Sequence, residues 1–412
     1  MPSTSEPILV VGGGLGGIAA ALALGRKGFR VRVLEQAAEF GVIGYGIQLG
    51  PNVFPMFERL GIKDAVLATC HFPGACIMAD AVTGEEITRV PTGASLRNRF
   101  THPYVVIHRV DLHRALLDGC RALDNVELIA STDVVSFEQR GDTVVAVTAD
   151  GSRIEGCCLI GADGLRSNVR TQLFGDGEPE PIGYVAHRTI LPMADVPAHV
   201  RSDDVYLRVG PGFHIVHYPL RRGELFNMVA VFRTETHGER LSERDYRTEI
   251  DRNFETAHPI MKAILGMMNF ERRWPIADRT PIRTWSRGRV TLLGDAAHPT
   301  LQSLAQGACM AIEDGVTLAD LVALADGDIA AAFARYETER CVRTARVVLE
   351  SRFLWEAFHA GGVARDVSYQ AFAERSEADV FKCLAWLYDG FTLPSERGPD
   401  SKVAVARAAA VR

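Results

Sequence analysis

The sequence predicts an α/β protein with a parallel sheet, an inserted β-rich segment and a helical C-terminal region. Three observations predict it. The apolar run Pro7 to Val11 leads through a glycine cluster into the Ala-rich stretch Ile18 to Lys27 and a second apolar run, Phe29 to Glu35, which together form a β–α–β unit of about 30 residues. Between about residues 175 and 284 the pattern changes to longer alternating runs, as in an antiparallel sheet with one covered face. Past residue 305 the apolar residues recur at helical spacing.

Taken in order, Val105 to Leu117 reads as a strand end running into an amphipathic helix, and 127–139 and 143–148 alternate as strands. Cys157 to Ala162 is an apolar strand stopped at Asp163-Gly164. Gly183 to Leu191, Val205 to Val209, Phe213 to Pro219 and Leu225 to Phe232 are the strands of the β-rich segment, and Arg289 to Leu293 returns to a buried parallel-type strand. Helical patterns then fill 305–325, 329–360 and 367–388, and a polar, then Ala-rich tail follows Pro394. The expected domains are 1–174 and its return segment 285–330, the inserted 175–284, and a helical region at 331–412.

Composition narrows the function. The formal net charge is -6 and no long block of like charges occurs, so no nucleic-acid partner is expected. No run reaches the roughly 18 to 20 apolar residues that span a bilayer. Residues 1–7 lack a basic n-region and cleavage site. A cytoplasmic protein without stable membrane insertion is the expectation. The 8 cysteines form no C-x-x-C pair, so no metal centre is expected and the thiols are read as free.

The first functional signal is Gly12-x-Gly14-x-x-Gly17 between strand and helix, with Glu35 ending the next strand. One glycine permits the tight turn, one lets the backbone approach a pyrophosphate, and one lets helix and strand pack closely. The phosphates then meet free N–H groups at the positive helix end. Leu15 and Gly16 belong to the same cradle, and Glu35, with Gln36 beside it, suits a ribose diol. The motif binds a dinucleotide without choosing between FAD and NAD; a glycine-rich turn with no ligand is the bland alternative.

Two further turns follow apolar strands: Gly161-Ala162-Asp163-Gly164 and Gly294-Asp295-Ala296-Ala297-His298-Pro299. A carboxylate at a strand end beside a helix start is placed to accept from a ligand hydroxyl. Either alone could be a plain strand-to-helix turn. Together with the glycine cradle, and across residues 8 to 320, they resemble the single-component (class A) FAD-dependent aromatic hydroxylases, which include p-hydroxybenzoate and salicylate hydroxylases. The resemblance implies a Rossmann-type FAD-binding domain of the p-hydroxybenzoate hydroxylase type with an inserted β-sheet substrate domain. It implies FAD on Gly12, Gly14, Gly17, Asp163, Gly164 and Asp295, with Arg109 of His108-Arg109-x-x-Leu112 beside the flavin. Gly46, Ile47, Gly307 and Ala308 join the cofactor-binding set, and Pro299 forms part of the oxygen-activating turn. NADH, or NADPH, is a transient co-substrate in such enzymes, which explains why no second nucleotide motif occurs.

Within that family the chain is most similar to the 3-hydroxybenzoate 6-monooxygenases, through Gly46-Ile47-Gln48-Leu49-Gly50-Pro51-Asn52, Phe213 to Leu220 and His298 to Ala308. This implies hydroxylation of 3-hydroxybenzoate to 2,5-dihydroxybenzoate (gentisate) with NAD(P)H and O2, by way of a flavin C4a-hydroperoxide, in a homodimer. The distal oxygen is electrophilic, so the ring must be electron-rich; removing the phenol proton activates the para position, carbon 6, and calls for a nearby base. The site must also exclude water. The resemblance places His214, Tyr218 and Gln302 in the aromatic pocket, with Tyr104 as a further wall. His214 is expected to polarise the phenol while Tyr218 and Gln302 orient the ring. On a period-two strand His214, Val216 and Tyr218 share one face and His217 points to the other. The bland alternative for each is a satisfied core side chain. Tyr45 stands where the family commonly has a small residue, which leaves open the same chemistry on salicylate or a hydroxylated pyridine carboxylate. Readings from other classes are an NAD-dependent dehydrogenase and a non-hydroxylating flavin-fold binding protein. Met267 and Met268 read as core, and Trp274, Trp285, Trp355 and Trp386 as packing anchors.

Overall fold

The computed structural model describes residues 6–41, 44–234 and 242–397. The Ala-rich tail expected at the C-terminus lies outside the described residues. Among the described residues the strands form sheets of six, three, seven and two.

The six-stranded sheet runs Ser286–Arg287, Val290–Leu292, Cys158–Gly161, Ile8–Val11, Val31–Leu34, Val126–Ile129, and its neighbours are parallel except at the Ser286–Arg287 edge. Ile8–Val11 and Cys158–Gly161 are buried at every residue, as continuous apolar strands covered on both faces should be. The helix Leu15–Arg26 packs on the helix Gly307–Leu324 through small residues: a Cβ on Gly315 would lie 2.7 Å from the backbone nitrogen of Ala20. Three strand ends, after Val11, Gly161 and Leu292, thus lie side by side at one edge of the sheet.

The seven-stranded sheet has the order Trp274–Asp278, Glu180–Pro192, Leu225–Arg233, Phe213–Leu220, Val205–Gly210, Ala75–Asp80, Glu86–Pro91. Its last two strands come from 75–91, ahead of the segment 175–284, and join through a parallel pairing with Val205–Gly210. One face is covered by the helices Glu243–Asn253 and Pro259–Gly266, with Phe213, Ile215, Phe226, Met228 and Met268 in that core. Met267 packs against the same core. The opposite face turns toward the glycine cradle.

Two expectations differ in detail. The helical pattern at 367–388 is two helices, Gly362–Ala373 and Glu377–Tyr388. Ser376 and Asp379 form a capping box that starts the second and so breaks the run. The run at 127–139 is likewise two strands: Val126–Ile129 belongs to the parallel sheet and Val134–Arg140 to the three-stranded meander.

Candidate active site

The strand ends and the inner face of the seven-stranded sheet enclose a cavity of about 700 Å³. Gly14, Leu15 and Gly16 form one wall. Gly12 has φ +108°, and a Cβ there would lie 2.4 Å from the carbonyl oxygen of Ala162, while one on Gly17 would lie 2.0 Å from that of Gly12. These two glycines allow close backbone packing and are not themselves in the cavity wall. Gly14 is different: a Cβ on it would meet nothing within 4 Å, so its backbone is bare toward the hollow. The helix Leu15–Arg26 begins there without a side-chain cap, leaving its first N–H groups open. Glu35 lies behind this turn and accepts from the N–H groups of Gly13 (2.6 Å) and Ala37 (2.8 Å). Gln36 is exposed at the same strand end.

Gly164 reaches the cavity, but Asp163 is held by its own turn, accepting from Ser167 Oγ (2.6 Å) and Val169 N (3.1 Å). Asp295 and Arg109 both line the cavity, and neither has a protein hydrogen-bond partner for its side chain among the described residues. Burial pushes the Asp295 carboxyl above the usual carboxylate range, against the pull of His298 and Arg109. Gly307 and Ala308 open the helix Gly307–Leu324 toward the hollow, again without a side-chain cap. Pro299 lies outside the wall, between buried His298 and cavity-lining Thr300.

The other wall is the sheet. His214, Val216 and Tyr218 line the cavity from Phe213–Leu220, while His217 stacks on Tyr206 at the opposite face, as strand periodicity predicts. Tyr104 donates to Gln48 beside them. Gly46 and Ile47 complete the junction between the two halves: Gly46 N donates to Asn227 Oδ1 at 2.8 Å, and a Cβ on Gly46 would lie 2.6 Å from the Tyr218 ring. His214 Nδ1 is 2.8 Å from His359 Nε2, and burial holds the His214 imidazole well below its ordinary basicity. Gln302 sits in the turn Gln302–Leu304, which Ser303 Oγ fastens to the carbonyl of Ser351 at 2.5 Å.

Some wall residues were not anticipated. Arg188 Nη2 donates to Gln302 Oε1 at 2.8 Å, and no carboxylate among the described residues pairs with this guanidinium. Burial lowers its basicity, yet a guanidinium keeps its charge in any protein environment. The register aligns Arg188 with Val229 and Val229 with Val216, so the cation shares the cavity face with His214 and Tyr218. Trp274, read from sequence as a packing anchor, lines the cavity and meets Tyr45 edge-on at 5.2 Å.

The model of a family described as an FAD binding domain matches residues 5–351, most of the chain. The chain belongs to the FAD binding domain family. Among its relatives, the 3-hydroxybenzoate 6-hydroxylase of Polaromonas naphthalenivorans is 43% identical over 93% of this chain and 95% of that protein. A 6-hydroxynicotinate 3-monooxygenase of Pseudomonas fluorescens is 35% identical over 84% and 90%. Among solved structures, Klebsiella pneumoniae HpxO complexed with FAD and uric acid superposes with a TM-score of 0.81 at 26% identity, covering 94% of this chain and 97% of that one. FAD is the cofactor, and the cavity fits it: two uncapped helix starts offer N–H donors to its phosphates and ring carbonyls, and an unpartnered carboxylate faces a space that suits a polyol.

Proposed function

We propose that the chain is an FAD-dependent aromatic monooxygenase that converts 3-hydroxybenzoate to gentisate with NADH and O2. The observation that carries the substrate assignment is Arg188, a cation without an acid among the described residues, on the same cavity face as His214, whose Nε2 has no partner among them. An aromatic acid bearing a phenol supplies what both lack. Relatives named 3-hydroxybenzoate 6-hydroxylase support the choice of acid.

Gly14, Leu15 and Gly16 would hold the pyrophosphate, with Gly12 and Gly17 packing the turn that presents them; Glu35 and Gln36 would flank the ribose, and Asp295 would bind the ribityl chain. Arg109, Gly46, Ile47, Gly164, Gly307 and Ala308 surround the flavin. Asp163 and Pro299 act through their turns. FAD, reduced by NADH, supplies an electrophilic oxygen drawn from O2. Arg188 takes the substrate carboxylate in a charge-assisted pair. Gln302 holds Arg188 through its oxygen and turns its amide to the ring. His214 Nε2 accepts the phenol proton, which raises electron density at carbon 6. Tyr218 and Tyr104 set the plane of the ring, and Val216 and Val229 keep water from the reacting carbon. Substrate binding belongs to 175–284 together with 75–91, and the flavin to the rest of 1–174 and to 285–330.

The second reading keeps every role and changes the ring to a hydroxylated pyridine carboxylate, favoured by the 6-hydroxynicotinate relative. The experiment is NADH oxidation against a panel of hydroxybenzoates and hydroxynicotinates, with each product identified by mass and retention. Gentisate from 3-hydroxybenzoate, at the highest kcat/KM of the panel, is the expected result. A hydroxynicotinate preferred over it would install the second reading, and flavin-free protein that takes up no FAD would end both.

A homodimer in the cytoplasm completes the proposal. Val342, Leu349 and Phe353 are exposed on one face of the helix Ile329–His359, with Val363 and Val367 exposed on the helix after it. Among the described residues no helix is long and apolar enough to cross a membrane.

A further inference from the structure

His214 is one of two buried imidazoles in contact, and the second comes from the C-terminal helix Ile329–His359. That helix ends against the turn ahead of Phe213–Leu220, where Gly212 N donates to the His359 carbonyl at 3.1 Å. The His359 ring is packed between Trp355 and Tyr184, each 4.6 Å away between ring centres. Its Nδ1 is 2.7 Å from the Trp355 carbonyl oxygen, and its Nε2 is 2.8 Å from His214 Nδ1.

These contacts fix every proton in the pair. A carbonyl only accepts, so His359 Nδ1 carries the hydrogen. Burial lowers the His359 pKa to about 4, so near neutral pH the ring is uncharged and its Nε2 is a bare acceptor. His214 Nδ1 must then be the donor. A neutral imidazole with its proton on Nδ1 has its lone pair on Nε2. No charged side chain among the described residues hydrogen-bonds either ring; Tyr184 is the titratable neighbour, and burial raises its pKa.

We propose that His359 is a positioning residue that locks His214 in the Nδ1–H tautomer, leaving Nε2 as the acceptor for the substrate phenol. The inference rests on the aromatic hydroxylation proposed above. When the phenol gives its proton to Nε2, the positive charge on His214 turns the Nδ1–H···Nε2 contact into a charge-assisted hydrogen bond. His359 thus orients a base through its far nitrogen, as a carboxylate does in a catalytic triad, but without a charge of its own. In the opposite tautomer His214 would present a hydrogen to the phenol and could not take one.

The test compares wild-type holoenzyme with His359→Gln and His359→Leu. The amide oxygen of glutamine can accept from His214 Nδ1 and its amide can donate to the Trp355 carbonyl; leucine can do neither. Flavin reduction and 3-hydroxybenzoate binding should persist in both variants. Hydroxylated product per NADH should fall in His359→Leu by roughly 100-fold, the lower end of the general-base range, with H2O2 taking its place. That loss should be recovered as pH rises and the phenol ionises unaided, while His359→Gln should regain most of the product at neutral pH. Ring-15N-histidine spectra give a readout independent of turnover: wild-type His214 should show a protonated Nδ1 and a bare Nε2, and His359→Leu should lose that pattern. A wild-type Nε2–H tautomer, a His359→Leu pH profile parallel to wild type, or equal losses in both variants would overturn the inference. Wild-type protein that binds FAD but hydroxylates no phenolic acid would instead overturn the functional reading, and the spectra would still decide the tautomer.

Discussion

At the scale of single residues, Arg188 and His359 show what a linear pattern hides. Arg188 reads in sequence as an ordinary polar residue of an alternating strand. It becomes part of a site only because that face of the sheet roofs the cavity rather than meeting solvent. His359 lies 145 residues from His214, and no local pattern joins them. By contrast the resemblance had already grouped His214, Tyr218, Gln302 and Tyr104, all of which line the cavity, and His214 and Tyr218 share one face because the strand carries no bulge between them. Truncating one partner of a buried charge pair costs about 2–5 kcal/mol. Arg188→Met should therefore weaken 3-hydroxybenzoate binding by about 30-fold or more, read from the flavin absorbance change, while the neutral 3-hydroxybenzamide binds nearly as before. Equal losses for acid and amide would show that Arg188 supports the fold and not the anion.

Elements are held in place by a buried ionic cluster that no motif announced. Arg340, on Ile329–His359, donates to Asp314 Oδ1 (2.7 Å) and Glu313 Oε2 (2.6 Å), both on Gly307–Leu324. Glu313 also accepts from Arg343 (2.8 Å) and Asn52 (2.8 Å), and Asp314 accepts from His298 (2.5 Å) and Gly294 N (3.2 Å). Burial pushes the Asp314 carboxyl up, but His298 and Arg340 outweigh it and hold it at about 2. The cluster pins the Gly294 to Pro299 turn, and with it Asp295, to two long helices. Arg340→Leu should destabilise the protein by about 3–5 kcal/mol, because it takes the bridging guanidinium from two fully buried carboxylates. Urea unfolding of the holoprotein checks this, and a loss below about 1 kcal/mol, no more than a surface ion pair is worth, would mean that the carboxylates find other partners. The sequence showed these helices by their period, but charged residues inside a helical pattern read as its solvent face. Only the packing of the two helices reveals that Glu313, Asp314 and Arg340 are internal.

On the scale of the whole molecule, the architecture was legible because its determinants are local. A glycine cradle between apolar strand and helix, and two carboxylate-bearing strand-end turns, each specify their own geometry. The strands Ala75–Asp80 and Glu86–Pro91, which no local pattern assigned to the seven-stranded sheet, cross into it through a pairing with residues more than a hundred positions away. That crossing helps close the cavity, since Cys76, Met78 and Thr88 lie in its wall. The assembled molecule sets uncapped helix starts on one wall and, on the other, a sheet whose Arg188 and His214 face the cavity. The most direct test is a crystal structure of the FAD-loaded protein with 3-hydroxybenzoate. The account predicts flavin along Gly14, Asp295 and Gly307, with the carboxylate on Arg188 and the phenol oxygen within hydrogen-bond reach of His214 Nε2. A substrate bound with its carboxylate away from Arg188 and its phenol away from His214 would contradict it.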